Sequence, residues 1–248
     1  MVSHTVSQTA KVPSADARLD GDLALPAGAR GVVLFAHGSG SSRLSPRNRA
    51  VAAGLCRAGF GTLLLDLLTE EEEREDAATG RHRFDIALLA RRLTDAVDWL
   101  ERRPDTAELS VGLFGASTGA GAALAAAAER PTRVSAVVSR GGRPDLAGDA
   151  LPLVRAPVLL VVGGSDTVVL DLNREAAEEL SAPHRLHVVP GATHLFPEPG
   201  ALEQVAEAAA DWFRDHMPEG PEGPEGPEGP GQPGEPGERE GADGRRTG

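Results

Sequence analysis

Short apolar segments alternate with longer amphipathic segments along most of the chain. The apolar segments are rich in Val and Leu, as is typical of strands that are buried in a sheet. The longer segments have the mixed apolar and polar character of helices that cover such a sheet. The pattern predicts six strands at residues 31–36, 61–66, 109–114, 134–139, 158–162 and 185–189. It predicts five helices at residues 46–58, 84–102, 118–129, 171–180 and 201–216.

The repeated alternation of strand and helix predicts an α/β fold with a mostly parallel, doubly wound sheet. Residues 5–25 precede these strands and predict an antiparallel hairpin at the sheet edge. Only residues 140–156 separate the fourth strand from the fifth, which leaves room for a turn and a short helix. We therefore expect one domain over residues 1–217 with no separate lid domain. Its pocket should be shallow, or covered by loops such as residues 69–83.

Residues 218–248 have a different composition from the rest of the chain. They repeat Pro-Glu-Gly four times and continue in Gly, Pro, Glu and Arg. Such a sequence has too few apolar residues to form a core, so it predicts a disordered, acidic tail. The period of three resembles collagen, but the regular register is too short to favour a triple helix.

Charge and composition restrict the partners that we expect. The net charge of −12 argues against nucleic acid or an anionic membrane as the main partner, so a small molecule is favoured. Cys56 is the only cysteine, so no disulfide can form within the chain. Residues 1–11 are polar, and no apolar run approaches the length of a membrane span. These observations predict a cytoplasmic protein.

The sequence GASTG at residues 115–119 lies between a predicted strand and a predicted helix. A serine with a glycine two residues to either side is typical of a nucleophile elbow. The small flanking residues allow a sharp turn that holds the serine hydroxyl at the end of the sheet. Ser117 is therefore the candidate nucleophile.

Two further candidates follow the next strands. Asp166 comes just after the strand at 158–162, and His194 comes after the strand at 185–189. Serine, aspartate and histidine occur here in the chain order of the α/β-hydrolase triad. In such a triad His194 accepts the proton of Ser117 and returns it to the leaving group, while Asp166 orients the imidazole. Alternatively, Asp166 is a turn former and His194 a surface residue.

The sequence HGSGSS at residues 37–42 follows the first of the six strands. An acyl-transfer enzyme uses backbone N–H groups of such a loop to stabilise the oxyanion, together with the residue after the nucleophile. We expect the backbone N–H groups of Ser39 and Thr118 to have this role. A rival interpretation is a dinucleotide-binding turn with Asp66 as the ribose ligand, but Arg43 stands where that motif needs a third glycine.

Four segments of the chain resemble the α/β-hydrolase superfamily, in particular its dienelactone hydrolase-like group. They are FAHGSGSS at 35–42, FGASTGAG at 114–121, VVGGSD at 161–166 and PGATH at 190–194. The resemblance implies a single α/β-hydrolase domain that hydrolyses a carboxylic ester or lactone without a cofactor. Dienelactone hydrolases proper carry cysteine at the elbow, whereas this chain has Ser117. The alternative is a relative of the same fold that binds a ligand without catalysis.

Other polar residues carry weaker signals. Arg43, Arg81 and Arg140 could each reach a pocket at the strand ends, and Arg140 is the candidate for binding an anionic substrate group. The four glutamates at residues 70–73 favour a solvated loop or the start of a helix. His184 and His187 have no third ligand at useful spacing, so we expect no metal.

Overall fold

A computed structural model describes residues 5–218 of the chain. The predicted disordered tail therefore lies outside the described residues, apart from Pro218. Within the described part no helix is both long enough and apolar enough to cross a membrane. The strands are β1 (Thr5–Pro13), β2 (Arg18–Pro26), β3 (Gly31–Ala36), β4 (Gly61–Leu65), β5 (Ser110–Ala116), β6 (Val134–Arg140), β7 (Val158–Gly163) and β8 (His184–Val189). The helices are α1 (Pro46–Arg57), α2 (Glu70–Thr79), α3 (Ile86–Glu101), α4 (Thr118–Glu129), α5 (Thr167–Glu179) and α6 (Ala201–His216).

The described strands form one sheet in the order β1-β2-β4-β3-β5-β6-β7-β8. β1 pairs antiparallel with β2, and β2 pairs antiparallel with β4, whereas β3 to β8 run parallel. Only a 3-10 segment, Pro144–Leu153, lies between β6 and β7. The predicted α/β fold, its antiparallel edge hairpin and the lack of a separate lid domain over these residues are therefore confirmed.

Alternate residues of the central strands pack into two separate hydrophobic cores. Leu34 and Leu113 face α3 and α4, while Phe35 and Phe114 face α1 and α6. Both faces of the parallel strands are thus covered by helices, as their nearly continuous apolar sequences require. The carboxyl ends of the strands remain as the edge from which the functional loops emerge.

Two helices differ from the predictions. The prediction of a loop at residues 69–83 is wrong for residues 70–79, which form α2. This helix begins after Thr69, which forms a capping box with Glu72. α5 begins at Thr167, four residues earlier than predicted. Its first turn is helical because Val169 and Leu170 pack against Val162 of β7.

Candidate active site

Ser117 has a backbone conformation that is rare for a residue with a side chain. Its φ is 51° and its ψ is −125°, between the end of β5 and the start of α4. Both glycines of the pentapeptide are required here. A Cβ on Gly115 would lie 2.8 Å from the backbone nitrogen of Ala120, and a Cβ on Gly119 would lie 2.5 Å from the carbonyl oxygen of His37. The strand, turn and helix therefore approach more closely than any other residue type would allow.

Backbone hydrogen bonds hold Ser117 in this conformation. Its N–H donates to the carbonyl of Arg140 at 3.3 Å, and its own carbonyl accepts from the N–H groups of Ala120 and Arg143 at 3.1 and 3.0 Å. Strained backbone persists where the surrounding structure determines it on several sides, and such strain is concentrated at functional sites.

The structure brings the side chains of Asp166 and His194 together. The Nδ1–H of His194 donates to Oδ2 of Asp166 at 2.7 Å, which leaves Nε2 of the imidazole as the free nitrogen. The two loops are also joined by their backbones, because the Ser165 N–H donates to the carbonyl of Ala192 at 2.9 Å. The carboxylate of Glu198 accepts from the backbone and side chain of Thr193, which fixes the loop just before His194.

His194 lies beside the elbow, over the end of β6. A Cβ on Gly141, the residue after Arg140, would lie 3.6 Å from Nδ1 of His194. Arg140 in turn bonds to Ser117 through the backbone. Among residues 5–218, no hydrogen bond joins Ser117 Oγ directly to the imidazole. Asp166 and His194 are thus hydrogen-bonded to each other, and Ser117, the candidate nucleophile, lies on the neighbouring turn without a bond to them.

The loop at residues 37–42 packs against the elbow, with Gly38 so close to Ser117 that a Cβ on the glycine would lie 2.8 Å from the serine Cβ. The backbone N–H of Ser39 donates to Oγ1 of Thr118 at 3.0 Å. This donor, one of the two expected for an oxyanion, is therefore already engaged by a side chain. The N–H of Thr118 lies in the first turn of α4, where N–H groups have no partner within the helix.

His37 holds this loop in place, a role that was not predicted from the sequence. Its Nε2 accepts from the Leu67 N–H at 3.0 Å, so Nδ1 carries the proton and donates to the carbonyl of Gly38 at 3.0 Å. Burial lowers the pKa of His37 below its usual value, which keeps the ring neutral as both bonds require. The sequence signal for this structural role is a histidine followed by a glycine, His37 and Gly38, directly after a buried strand.

Arg43 and Arg81 are not placed for substrate binding. The backbone N–H and the guanidinium of Arg43 both bond to Asp66. Burial alone would lower the pKa of Arg43, but the bond to Asp66 and the negative charges of Asp66, Asp22 and Asp20 together raise it. Both carboxylate oxygens of Asp66 are therefore bonded to Arg43. This argues against the dinucleotide interpretation, in which Asp66 would bind a ribose. Arg81 is 77% exposed and faces Glu75.

A cavity of about 230 Å³ opens beside Ser39 and Thr118. Leu67, Leu68 and Leu89 supply much of its apolar lining, and α2 covers one side of it. The predicted cover from residues 69–83 is therefore present, although it is a helix rather than a loop. At the polar side, burial and the nearby Asp66 raise the pKa of Glu73.

The last residue of β6 is Arg140, which was expected in the loop after that strand. Its side chain is 7% exposed and lies on the α1 and α6 side of the sheet, where Nη2 donates to Oδ1 of Asn48 at 3.4 Å. Its Cζ lies 6.0 Å from the ring centre of Phe196. Within the described residues, no three His, Cys, Asp or Glu side chains are grouped as they would be around a metal ion.

Two proteins of known structure are similar to this chain. It is 58% identical to a dienelactone hydrolase of known structure from Anabaena variabilis, with a TM-score of 0.84 over 86% of this chain and 99% of that one. It shares its fold with Est1E from Butyrivibrio proteoclasticus at 16% identity, with a TM-score of 0.70 over 84% of this chain and 98% of that one.

A curated relative extends well beyond the part that this chain matches. The chain is 63% identical over 197 residues to a protein from Mycobacterium tuberculosis strain H37Rv that is named "Putative phosphoribosyl transferase". The match covers 79% of this chain but only 44% of that protein, so this chain spans less than half of its length. The sequence profile of the Dienelactone hydrolase family matches residues 19–217, which include the elbow and both loops of the Asp166–His194 pair. The chain therefore belongs to the dienelactone hydrolase family.

Proposed function

We propose that the protein is a serine hydrolase that cleaves a carboxylic ester or lactone through an acyl-enzyme on Ser117. The observation that carries the proposal is the 2.7 Å bond between His194 and Asp166 beside the strained turn of Ser117. Asp166 holds the imidazole with Nε2 free, which is the tautomer that can accept the serine proton. A small-molecule substrate and a cytoplasmic location are part of the same proposal.

The proposed reaction uses each of these three groups in a separate role. Ser117 Oγ attacks the carbonyl carbon as its proton passes to Nε2 of His194, and the tetrahedral intermediate collapses with cleavage of the C–O bond. The imidazolium gives its proton to the leaving oxygen. Water then attacks the acyl-enzyme by the same route, which releases the acid and restores Ser117. Rotation of the serine side chain brings Oγ to the imidazole, since catalytic hydrogen bonds often tighten only when substrate is bound.

Thr118 and Ser39 supply the oxyanion donors in this proposal. The N–H of Thr118 is available at the start of α4, whereas the N–H of Ser39 must exchange the hydroxyl of Thr118 for the oxyanion. The adjacent cavity of about 230 Å³, with its leucine lining, suits a short apolar group on the substrate. We therefore propose short-chain esters and small lactones as the substrate class.

Turnover of p-nitrophenyl acetate, butyrate and octanoate, with a panel of five- and six-membered lactones, tests this proposal. We expect hydrolysis of the short substrates, and a loss of kcat of about 10⁴-fold or more in Ser117→Ala and His194→Ala. Asp166→Asn should lose about 10³- to 10⁴-fold, because the wrong tautomer is favoured. Arg81→Gln, at an exposed position, is the control and should match the wild type. Equal residual rates in the wild type and Ser117→Ala would favour the non-catalytic alternative.

A further inference from the structure

Arg140 and Arg47 lie on the α1 side of the elbow, since Arg140 bonds to Asn48, the residue after Arg47, and neither arginine has an acidic partner among the described residues. Within the described residues, Nε and Nη1 of Arg140 are buried and have no hydrogen-bond partner, and the same holds for Nε of Arg47. The one bond of the Arg140 guanidinium, to Asn48, is long at 3.4 Å. Buried charged groups are usually paired, so this arrangement needs an explanation.

Another buried arginine of the chain, Arg92, is paired with a carboxylate, as buried charges usually are. Arg92 is 0% exposed, and its guanidinium bonds to both carboxylate oxygens of Glu72 at 2.7 Å and to the carbonyl of Leu67 at 2.8 Å. Arg140 has no such partner among the residues that the structure describes. Burial and the positive charge of Arg47 lower the pKa of Arg140 to about 10. The Arg140 guanidinium therefore stays charged at neutral pH, although the positive charge of Arg47 opposes it.

The pair adjoins the reaction centre. Arg140 pairs with Ala116 in the sheet, and its carbonyl accepts from the Ser117 N–H. The next residue, Gly141, lies so near His194 that a Cβ added to it would be 3.0 Å from the His194 carbonyl oxygen. Arg47 lies in the first turn of α1, which contains no acidic residue and where the helix dipole adds further positive potential. Because Arg47 is only partly buried, the pair meets solvent on its side.

We propose that Arg140 and Arg47 form a binding site for a phosphate dianion carried by the substrate. Two guanidinium charges and three unfilled nitrogen donors match the charge and the terminal oxygens of a phosphate monoester. A carboxylate would neutralise only one of the two charges. The substrate class is then an ester or lactone that bears a phosphate group. The role in turnover rests on the proposed hydrolase function, but anion binding does not.

Titration of Ser117→Ala protein with inorganic phosphate at pH 8, followed by calorimetry, tests binding without catalysis. We expect saturable binding that weakens at least tenfold in Arg140→Met and in Arg47→Met. Arg81→Met, which removes an exposed arginine, should leave it unchanged. Arg140→Met should also unfold at a higher temperature than the parent when phosphate is absent, because an unpaired buried charge has been removed. If Arg140→Met does not fold, Arg47→Met provides the test.

Acetate titrations under the same conditions distinguish the two anion classes. Phosphate should bind at least tenfold more tightly than acetate. Equal binding of the two anions, or phosphate binding that both arginine variants retain, would overturn the proposal. Binding of phosphate by a wild type that hydrolyses no ester would leave the anion site standing and refute the hydrolase. Ester hydrolysis without phosphate binding would support the hydrolase and refute the anion site.

Discussion

At the scale of single residues, the site depends on a backbone conformation that its neighbours impose. Ser117 has a positive φ, which costs about 1–3 kcal/mol for a residue with a side chain. The turn is possible because Gly115 and Gly119 let the chain pass close to α4 and to the loop after β3. The sequence motif contains this information, since the two glycines and the serine are enough to recognise the elbow.

Gly119→Ala should be strongly destabilising. The new Cβ would lie 2.5 Å from the carbonyl oxygen of His37, and backbone atoms can yield only by moving the loop or the helix. We expect a loss of about 3 kcal/mol or more in the free energy of unfolding, measured by urea denaturation. Gly28→Ala is the contrasting control. Gly28, unlike Gly119, has a positive φ, but a Cβ added there would meet no atom within 4 Å, so only the conformational cost of about 1 kcal/mol should be lost.

The arginines show what the motif does not contain. Arg43, Arg81 and Arg140 look alike in sequence, each in or next to a loop that follows a strand. In the structure Arg43 bonds to Asp66, Arg81 is exposed and Arg140 is buried. These differences depend on side chains that are distant in sequence, so local patterns could not separate the three.

At the scale of elements, α2 connects the cavity to the rest of the fold. Its capping box is readable in the sequence, because Thr69 is followed by glutamate three residues later. The run of four glutamates left a solvated loop and the start of a helix as alternatives, and the structure has the start of a helix. The ion pair that holds α2 against α3 joins Glu72 to Arg92, twenty residues away in the sequence. Such a contact follows from the packing of the helices and not from either segment alone.

Glu72→Gln should weaken α2 and change the dependence of stability on pH. Hydrogen bonds from Arg92 lower the pKa of Glu72 to about 2, below its ordinary value of 4.5. The carboxylate therefore stabilises the folded protein above about pH 4.5, and this stabilisation is lost as the pH falls toward 2. At pH 7 the variant should lose about 3 kcal/mol, because Arg92 stays buried with a neutral partner.

Denaturation curves between pH 2 and pH 7 measure this effect. The wild type should lose stability more steeply than Glu72→Gln between pH 4.5 and pH 2. Glu71→Gln changes an exposed neighbour in the same helix and should follow the wild type. Parallel curves for the wild type and Glu72→Gln over the whole range would show that the ion pair contributes little.

At the scale of the whole molecule, the strand and helix pattern predicted the fold class because both faces of the sheet need apolar residues. The packing of Met217 into the core was not predicted. Met217 packs so closely that a Cβ on Gly31 or Gly112 would clash with it, and Ser110 donates to the carbonyl of Pro218 at 3.0 Å. Met217 and Pro218 are therefore part of the packed structure, and we expect the domain boundary directly after them.

Truncation at two points tests this boundary. A chain that ends at Pro218 should keep the thermal unfolding temperature of the full chain and its rate in the proposed ester hydrolysis, as expected if residues 219–248 add only solubility. A chain that ends at His216 loses the buried Met217 side chain, and its unfolding free energy should fall by about 2–5 kcal/mol. Differential scanning calorimetry of the three proteins measures both effects. Equal unfolding temperatures for the two truncated chains would contradict the boundary.

The role of Ser117 as the nucleophile is the centre of the proposed mechanism, and covalent labelling tests it most directly. Wild-type protein is treated with a fluorophosphonate, and the adduct is located by mass spectrometry of its peptides. We predict one adduct per chain on Ser117, slower labelling of His194→Ala and no labelling of Ser117→Ala. A folded wild-type protein that stays unlabelled, or an adduct on another residue that persists in Ser117→Ala, would contradict this role.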